Sequence, residues 1–142
     1  MFMVKDDHPS RFVGILSNKL RREIDSLSFR GQYSGTEGKA LHFILAHEDS
    51  VLFQKDLEEE FGLRAPSASA LVKKMELDGL ITRVPVSFDG RFKQIVPSER
   101  AQQHREKVLS DVQELENRLL RGVSEHDLSI WLEVTKKMIE NL

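Results

Sequence analysis

Six basic side chains in the middle of the sequence could bind phosphate groups. Residues 64–97 carry six Lys and Arg against three Asp and Glu, a net charge of +3. Residues 1–63 carry −3 and residues 98–142 carry −2, so that the whole chain of 142 residues has a formal net charge of −2. A basic stretch between acidic flanks is compatible with a phosphate-binding surface. A chance fluctuation in a mixed-charge surface would give the same counts.

The other reactive side chains are not spaced for catalysis or metal binding. The sequence has no cysteine, which excludes disulfides, thiolate zinc sites and cysteine nucleophiles. His42 and His47 are five positions apart, which is roughly 140° around a helix, so they do not share a face. The acidic run at 56–60 is more typical of a solvated helix face than of a paired-carboxylate site. With no catalytic motif evident, we expect neither an enzyme nor a bound cofactor or metal.

Length and apolar content predict one folded chain, 1–142, without a membrane anchor. The hydrophobic fraction is 39% and the charged fraction 31%, values that describe a globular protein. No apolar run approaches the roughly 18 residues that span a bilayer. The first nine residues lack the layout of a secretory signal. We therefore expect a cytoplasmic protein with no membrane partner.

Hydrophobic periodicity predicts a mostly α fold with a small β-hairpin. Helices are predicted over 9–29, 36–47, 54–61, 66–78, 98–121 and 124–142. Residues 80–86 and 91–96 alternate as strands around a turn at 87–90, and Pro85 indicates an edge or bulged strand. Thr36 is the expected N-cap of the second helix. Gly62 and Gly79 are the expected left-handed ends of the two short helices.

The two short helices joined at 62–65 have the spacing of a helix-turn-helix, and the hairpin after them has the position of a wing. The major groove of DNA is about 12 Å wide and admits one helix. A wing beside that helix would reach the neighbouring minor groove. The spacing alone therefore predicts a DNA-binding lobe over 36–97.

Residues 36–101 carry an ordered set of segments that resembles the MarR family. The segments are Gln54–Glu58, Leu71–Arg83, Asp89–Arg91 and Ile95–Ser98. In the family pattern, a recognition helix is followed by Gly-Leu-Ile and Arg, a wing with Asp-x-Arg at its tip and a Ser- or Thr-capped helix. The resemblance implies a winged helix-turn-helix regulator of transcription, most commonly a repressor, with double-stranded DNA as its partner.

The resemblance assigns roles to the wing. Arg91 would enter the minor groove, where a narrow A·T-rich stretch concentrates negative potential. Asp89 would brace the wing or orient an arginine, and Lys93 is a further DNA-binding candidate. The alternative is that the Asp-x-Arg pair only stabilises the turn.

The second short helix is the predicted recognition helix. Its inward residues are expected to be Ala68, Leu71, Val72 and Met75, and its outward candidates are Ser67, Ser69, Ala70, Lys73 and Lys74. Serine hydroxyls and an alanine methyl can contact bases, and lysines can reach phosphate or guanine. Because Arg64-Ala65-Pro66 offers no good N-cap side chain, we hypothesise that the free N–H groups there bind a DNA phosphate together with Arg64. A merely solvated helix face is the alternative.

The terminal helices, 9–29 and 98–142, have apolar stripes that the lobe is too small to cover. The resemblance implies that they form a dimerisation bundle, in which we expect Phe12, Leu16, Leu115, Leu119, Trp131 and Met138. Such a homodimer would place two recognition helices about one DNA turn apart on a pseudo-palindrome. A small aromatic or lipophilic effector would bind where these helices meet the lobe. The alternative from another class is a winged-helix protein-interaction module without DNA binding, which the overall acidity favours.

Overall fold

A computed structural model of the chain describes residues 7–27, 33–86 and 89–142. Its elements are α1 (Pro9–Leu27), α2 (Gly35–Ala46), α3 (Gln54–Phe61), α4 (Ala65–Leu77), β1 (Ile81–Val86), β2 (Asp89–Pro97), α5 (Glu99–Gln103), α6 (Arg105–Leu119) and α7 (Glu125–Glu140). The two strands pair antiparallel. The predicted fold class, mostly helical with a hairpin after a helix-turn-helix, is confirmed. None of the helices in these ranges is long and apolar enough to cross a membrane.

The N-cap of the second helix is Ser34, two residues before the predicted cap at Thr36. The Oγ of Ser34 accepts a hydrogen bond from the backbone N–H of Glu37 at 3.2 Å, and Glu37 Oε1 accepts one from the backbone N–H of Ser34 at 3.2 Å. This reciprocal capping box satisfies two N–H groups at the start of α2. The predicted cap at Thr36 is wrong, because the residue three positions after Thr36 is Lys39, which cannot complete the box.

The helix predicted over 98–121 is interrupted at His104, so the prediction of one continuous helix is wrong. His104 has φ −101° and ψ 5°. The side chain of Arg105 donates to the Leu45 carbonyl at 2.9 Å and pairs with Glu48, and Gln102 also bonds the Glu48 carboxylate. The residues on both sides of the break therefore bind the end of α2. Hydrophobic periodicity does not predict such tertiary contacts.

The hairpin differs from its prediction at the turn. Val86 pairs with Asp89, so Asp89 and Gly90 belong to β2 and not to the predicted turn. Pro85 pairs with Lys93, which leaves residues 90–92 as an irregularity in the ladder. The bulge predicted from Pro85 is thus confirmed, since proline has no N–H to donate to the ladder. Arg91 lies in this irregular part of β2 rather than at the tip, and residues 87–88 of the predicted turn lie outside the described residues.

The hydrophobic core lies in the central lobe and draws on every element except the first and the last. Its large buried members include Leu41, Ile44, Leu45, Leu57, Val72, Met75, Leu80, Ile81, Ile95 and Val108. No residue of α1 or α7 is buried within the single chain. Leu115, which the stripe placed in the dimerisation set, is only 7% exposed. Its own chain therefore already buries it, and a substitution there would disturb the protomer as well as any dimer.

Gly35→Ala should destabilise the fold, because α1 passes too close to α2 for a side chain at this position. An added Cβ would meet the Asp25 carboxylate and lie 3.0 Å from Ile24 Cγ2. We expect a loss of roughly 1–3 kcal/mol in the free energy of unfolding, measured by urea denaturation. The matched control is Gly14→Ala in α1, where no described atom lies within 4 Å of the added Cβ. Equal stability of the two variants would contradict the close packing of α1 on α2.

Candidate nucleic-acid interface

A tight turn at Gly62 joins α3 to α4. Gly62 has φ 62° and ψ 34°, a left-handed conformation that glycine adopts without steric cost. The backbone N–H of Leu63 donates to the Glu58 carbonyl at 2.9 Å and closes α3. After two further residues α4 begins at Ala65. The predicted turn of the helix-turn-helix and the predicted role of Gly62 are both confirmed.

The inward and outward faces of α4 agree with the pattern in the sequence. The four predicted inward residues, Ala68, Leu71, Val72 and Met75, are at most 8% exposed. Ser67, Ser69, Ala70 and Lys73 are all exposed. Leu77 is 77% exposed and extends the outward face by one turn, because it follows Lys73 by four positions. The outward face therefore combines hydroxyl, methyl and ammonium groups.

The first turn of α4 has no side-chain cap. Arg64 occupies the N-cap position with extended backbone and makes no capping hydrogen bond, and a proline stands in the first two positions of the helix. The first N–H groups of a helix carry a partial positive charge and attract anions when no side chain satisfies them. With the exposed Arg64 side chain beside them, these N–H groups provide the chemistry that a phosphate contact requires.

Lys74 differs from its neighbour Lys73, although both were expected to face outward. Its Nζ lies 2.9 Å from Asp78 Oδ2 and 3.0 Å from Glu37 Oε1. Hydrogen bonds with Asp78 and then with Glu37 raise the pKa of the Lys74 ammonium. The side chain is 57% exposed, but its charged end is directed towards the start of α2.

Three contacts fix the wing to the rest of the lobe. Arg83 of β1 pairs with Glu76 of α4 at 3.0 Å, and this hydrogen bond is the main reason why the pKa of Glu76 is lowered. The backbone N–H of Ile95 donates to the Leu52 carbonyl at 2.7 Å. The ring of Phe53 packs edge-on against Phe92 with the ring centroids 6.4 Å apart. The wing therefore has a defined position relative to both α4 and the segment that precedes α3.

The predicted wing cations lie on the surface of β2. Arg91 and Lys93 are both exposed. Asp89 is the first residue of β2, and its side chain lies outside the described part of the structure. The hairpin, which follows α4 in the chain, thus presents two basic side chains on its second strand.

The end of α4 is held by the beginning of α5. The carbonyls of Asp78, Gly79 and Leu80 accept hydrogen bonds from Arg100 Nη1 at 2.5 Å, Ser98 Oγ at 2.7 Å and the Ser98 backbone N–H at 2.9 Å. Ser98 Oγ also caps α5 by accepting from the Ala101 N–H at 3.1 Å. Gly79, at φ 73°, makes the predicted left-handed turn that brings these carbonyls together.

An open, apolar cleft of about 1050 Å³ lies between α1, α2, α6 and α7. Five of the six predicted dimerisation residues line it, namely Phe12, Leu16, Leu115, Trp131 and Met138. Polar groups enter it from Lys39, His42 and His47. Partial burial, and next the neighbouring His47, lower the pKa of His42. In the described residues, no three His, Asp or Glu side chains converge to hold a metal ion.

The sequence pattern did not identify Glu37 or Arg100 as residues of this region, and it gave Arg83 as part of the family segment without its partner. The spacing Ser34-x-x-Glu37 was a usable signal, since it is the pattern of a capping box. The partners of Arg83 and Arg100 depend on how α4, β1 and α5 come together. No local spacing predicts those contacts.

Comparison with known proteins agrees with this architecture. Residues 32–91, which span the helix-turn-helix and the first part of the wing, match the sequence model of the MarR family. No curated relative is matched on sequence.

Solved structures share the fold over nearly the whole chain. The transcription regulator MarR from Oenococcus oeni has a TM-score of 0.87 at 22% identity and covers 94% of this chain and 99% of its own. MepR from S. aureus, solved in a complex with DNA, has a TM-score of 0.85 at 21% identity and covers 97% and 99%. The heme sensor PefR from Streptococcus agalactiae, solved with heme, has a TM-score of 0.59 at 24% identity and covers 96% and 95%.

At these identities the structural likeness establishes the fold, which is that of a winged helix-turn-helix protein. The match to the MarR family model covers residues 32–91, the helix-turn-helix and the first part of the wing, which is less than half of the chain.

Proposed function

We propose that the chain is a transcription regulator of the MarR family, which binds a pseudo-palindromic operator in duplex DNA as a homodimer and represses neighbouring genes. The observation that carries the proposal is the one-sided burial of α4, which leaves Ser69, Ala70 and Lys73 on an outward face. A helix with such a face fits the major groove, and a wing reaches the adjacent groove. MepR, which has the same fold, was solved with DNA.

Base contacts would come from the outward face of α4. Ser67 and Ser69 carry hydroxyls that can donate to or accept from base edges, and the methyl of Ala70 can contact a thymine methyl. The exposed apolar side chain of Leu77 suits the same kind of contact. Lys73 would reach a guanine or a phosphate.

Backbone contacts would hold the lobe in register on the duplex. Arg64 and the uncapped N–H groups of α4 would bind one phosphate, and Lys93 would bind another from the wing. Arg91 would enter the minor groove, with Asp89 bracing the wing or orienting an arginine. These groups lie at the two ends of the helix–wing unit, so together they would fix its angle on the DNA.

A second copy of the chain would cover the terminal helices. Trp131 is 52% exposed, Phe12 49% and Met138 40% in the single chain. Apolar side chains arranged along two helices are typical of an interface rather than of a solvated surface. A twofold arrangement of these helices would bury the members of the predicted dimerisation set that the single chain leaves exposed, including Leu119 at 37% exposure.

Release by a small aromatic or lipophilic effector would use the cleft between these helices and the lobe. Where the cleft borders α2, it is lined by Lys39 and His42, which are not among the predicted dimerisation residues. PefR, whose fold is similar, was solved with heme. An occupant of this cleft would contact both the dimerisation helices and the lobe, so it could change the distance between the two recognition helices.

The direct test is fluorescence anisotropy with a library of A·T-rich pseudo-palindromic duplexes at two salt concentrations. Because phosphate contacts release counterions, the affinity should fall steeply as salt rises. Arg91→Ala should weaken binding by about tenfold, since it removes a minor-groove cation.

Lys136→Ala on α7 is the control, because that lysine is exposed and far along the chain from the lobe. Absence of salt-sensitive binding by the wild-type chain would contradict the proposal. It would favour the protein-interaction module instead.

Trp131→Glu should give monomers without unfolding the chain, because Trp131 is half-exposed in the protomer and becomes buried only in the dimer. We expect the dimer dissociation constant to rise by about 100-fold or more in sedimentation velocity, since a buried tryptophan at each half of the interface is lost. Val51→Glu replaces an exposed apolar residue outside the terminal helices and should leave the dimer intact. Unchanged dimerisation of Trp131→Glu would exclude this interface.

The lowered pKa of His42 predicts a pH-dependent stability. As the pH falls, the unfolded chain binds a proton at this residue before the folded chain does. The free energy of unfolding should therefore fall as the pH decreases through the ordinary histidine value of about 6.5, and then level off. Urea denaturation at fixed protein concentration should show a flatter profile for His42→Gln, whereas His126→Gln, at an exposed site on α7, should keep the wild-type slope. A wild-type slope in His42→Gln would contradict this assignment.

A further inference from the structure

Glu37 is the one charged side chain that is fully buried among the described residues, with 0% exposure. Its Oε1 accepts hydrogen bonds from the backbone N–H and the hydroxyl of Ser34, both at 3.2 Å, and from Lys74 Nζ at 3.0 Å. Its Oε2 is buried without a hydrogen-bond partner. The ion pair of this buried carboxyl is therefore with an ammonium that comes from the recognition helix.

Lys74 forms ion pairs with two carboxyl groups. Asp78, at the C-cap of α4, lies 2.9 Å from the same Nζ. The hydrogen bond with Lys74 is the main reason why the pKa of Asp78 is lowered. The three side chains therefore form one charged cluster that joins the first turn of α2 to the last turn of α4.

A buried carboxylate adds little net stability to a helix–helix contact. Desolvating the two charges of an ion pair costs several kcal/mol, and well-packed apolar residues often serve stability equally well. The capping box needs only an acceptor oxygen at position 37, which a glutamine would also supply. The ion pairs additionally fix the orientation of α4 relative to α2. The Lys74 ammonium lies 3.0 Å and 2.9 Å from two carboxyl groups and therefore has little freedom to move.

The end of α4 is also held by α5. Ser98 and Arg100 bond the carbonyls of residues 78–80, so α5 and α2 both hold the end of the recognition helix. Contacts from two separate elements fix the rotation of α4 about its axis as well as its tilt. That rotation decides where Ser69 and Lys73 point.

We propose that Glu37 and Lys74 are positioning residues that set the angle of the recognition helix in the major groove, and that Lys74 does not contact DNA phosphate. The inference rests on the proposed function. It gives the two adjacent lysines different tasks, although the sequence alone had placed both of them on the DNA-binding face. Lys73 makes no ion pair with any described residue and has its ammonium available for phosphate.

The test compares operator and non-specific binding for wild type, Glu37→Gln, Glu37→Gln/Lys74→Met and the control Lys73→Met. The probes are the duplex selected by the wild-type chain and a scrambled duplex of the same length, titrated by anisotropy over a series of salt concentrations. Lys74→Met alone is avoided, because it would leave Glu37 buried without a counter-charge. The double variant removes both charges and keeps the capping acceptor.

Glu37→Gln and the double variant should each bind the operator about tenfold more weakly. A loss of this size is expected when one or two base contacts are misplaced. Their affinity for the scrambled duplex and their salt slopes should equal those of wild type. Lys73→Met should weaken both duplexes and lower the salt slope by about one for each protomer. Thermal melts followed by circular dichroism would verify that every variant is folded at the assay temperature, so that a lost operator preference reports orientation and not unfolding.

Wild-type operator affinity in Glu37→Gln would overturn the positioning role. A salt slope in the double variant that falls below that of Glu37→Gln alone would overturn the claim that Lys74 makes no phosphate contact. If the wild-type chain itself shows no salt-sensitive binding to either duplex, the proposed function fails, and the inference fails with it.

Discussion

The one-sided burial of α4 is the constraint on which the binding surface depends. Leu71, Val72 and Met75 each gain roughly 1.5–3 kcal/mol by leaving water, so any rotation of the helix that exposed them would be unfavourable. The residues opposite this row, Ser69, Ala70 and Lys73, are therefore held outward. Core packing thus decides which residues of α4 the lobe presents to a partner.

Contacts at the last turn of α4 connect the helix to the neighbouring elements. Its last turn is joined to α2 through Lys74 and Glu37, to the wing through Glu76 and Arg83, and to α5 through backbone carbonyls. The break between α5 and α6 is in turn fastened to the end of α2. The elements of the lobe are thus held together by contacts within one chain. The terminal helices, whose apolar faces stay exposed, would be completed by a second copy under the proposed function.

Local chemistry in the sequence predicted the parts of the fold that depend on a few neighbouring residues. Gly62 and Gly79 lie at the left-handed turns where they were expected, and the inward row of α4 was assigned correctly from its spacing. Features that depend on distant elements were not predicted. The break at His104 depends on Glu48, the burial of Leu115 depends on how α6 packs, and the partner of Lys74 lies on α2. The start of α2 is the exception, because Ser34-x-x-Glu37 was a local signal. The assigned DNA-binding and dimerisation residues remain predictions.

The central claim is that two copies of the chain hold their recognition helices at the spacing of successive major grooves. Because the sequence has no cysteine, Ser69→Cys would introduce a single spin-label site in each protomer, and pulsed electron paramagnetic resonance would measure the distance between the two labels. We expect one distance near one DNA turn, about 34 Å, in the free protein. Absence of dipolar coupling, or a distance far from this value, would contradict the claim.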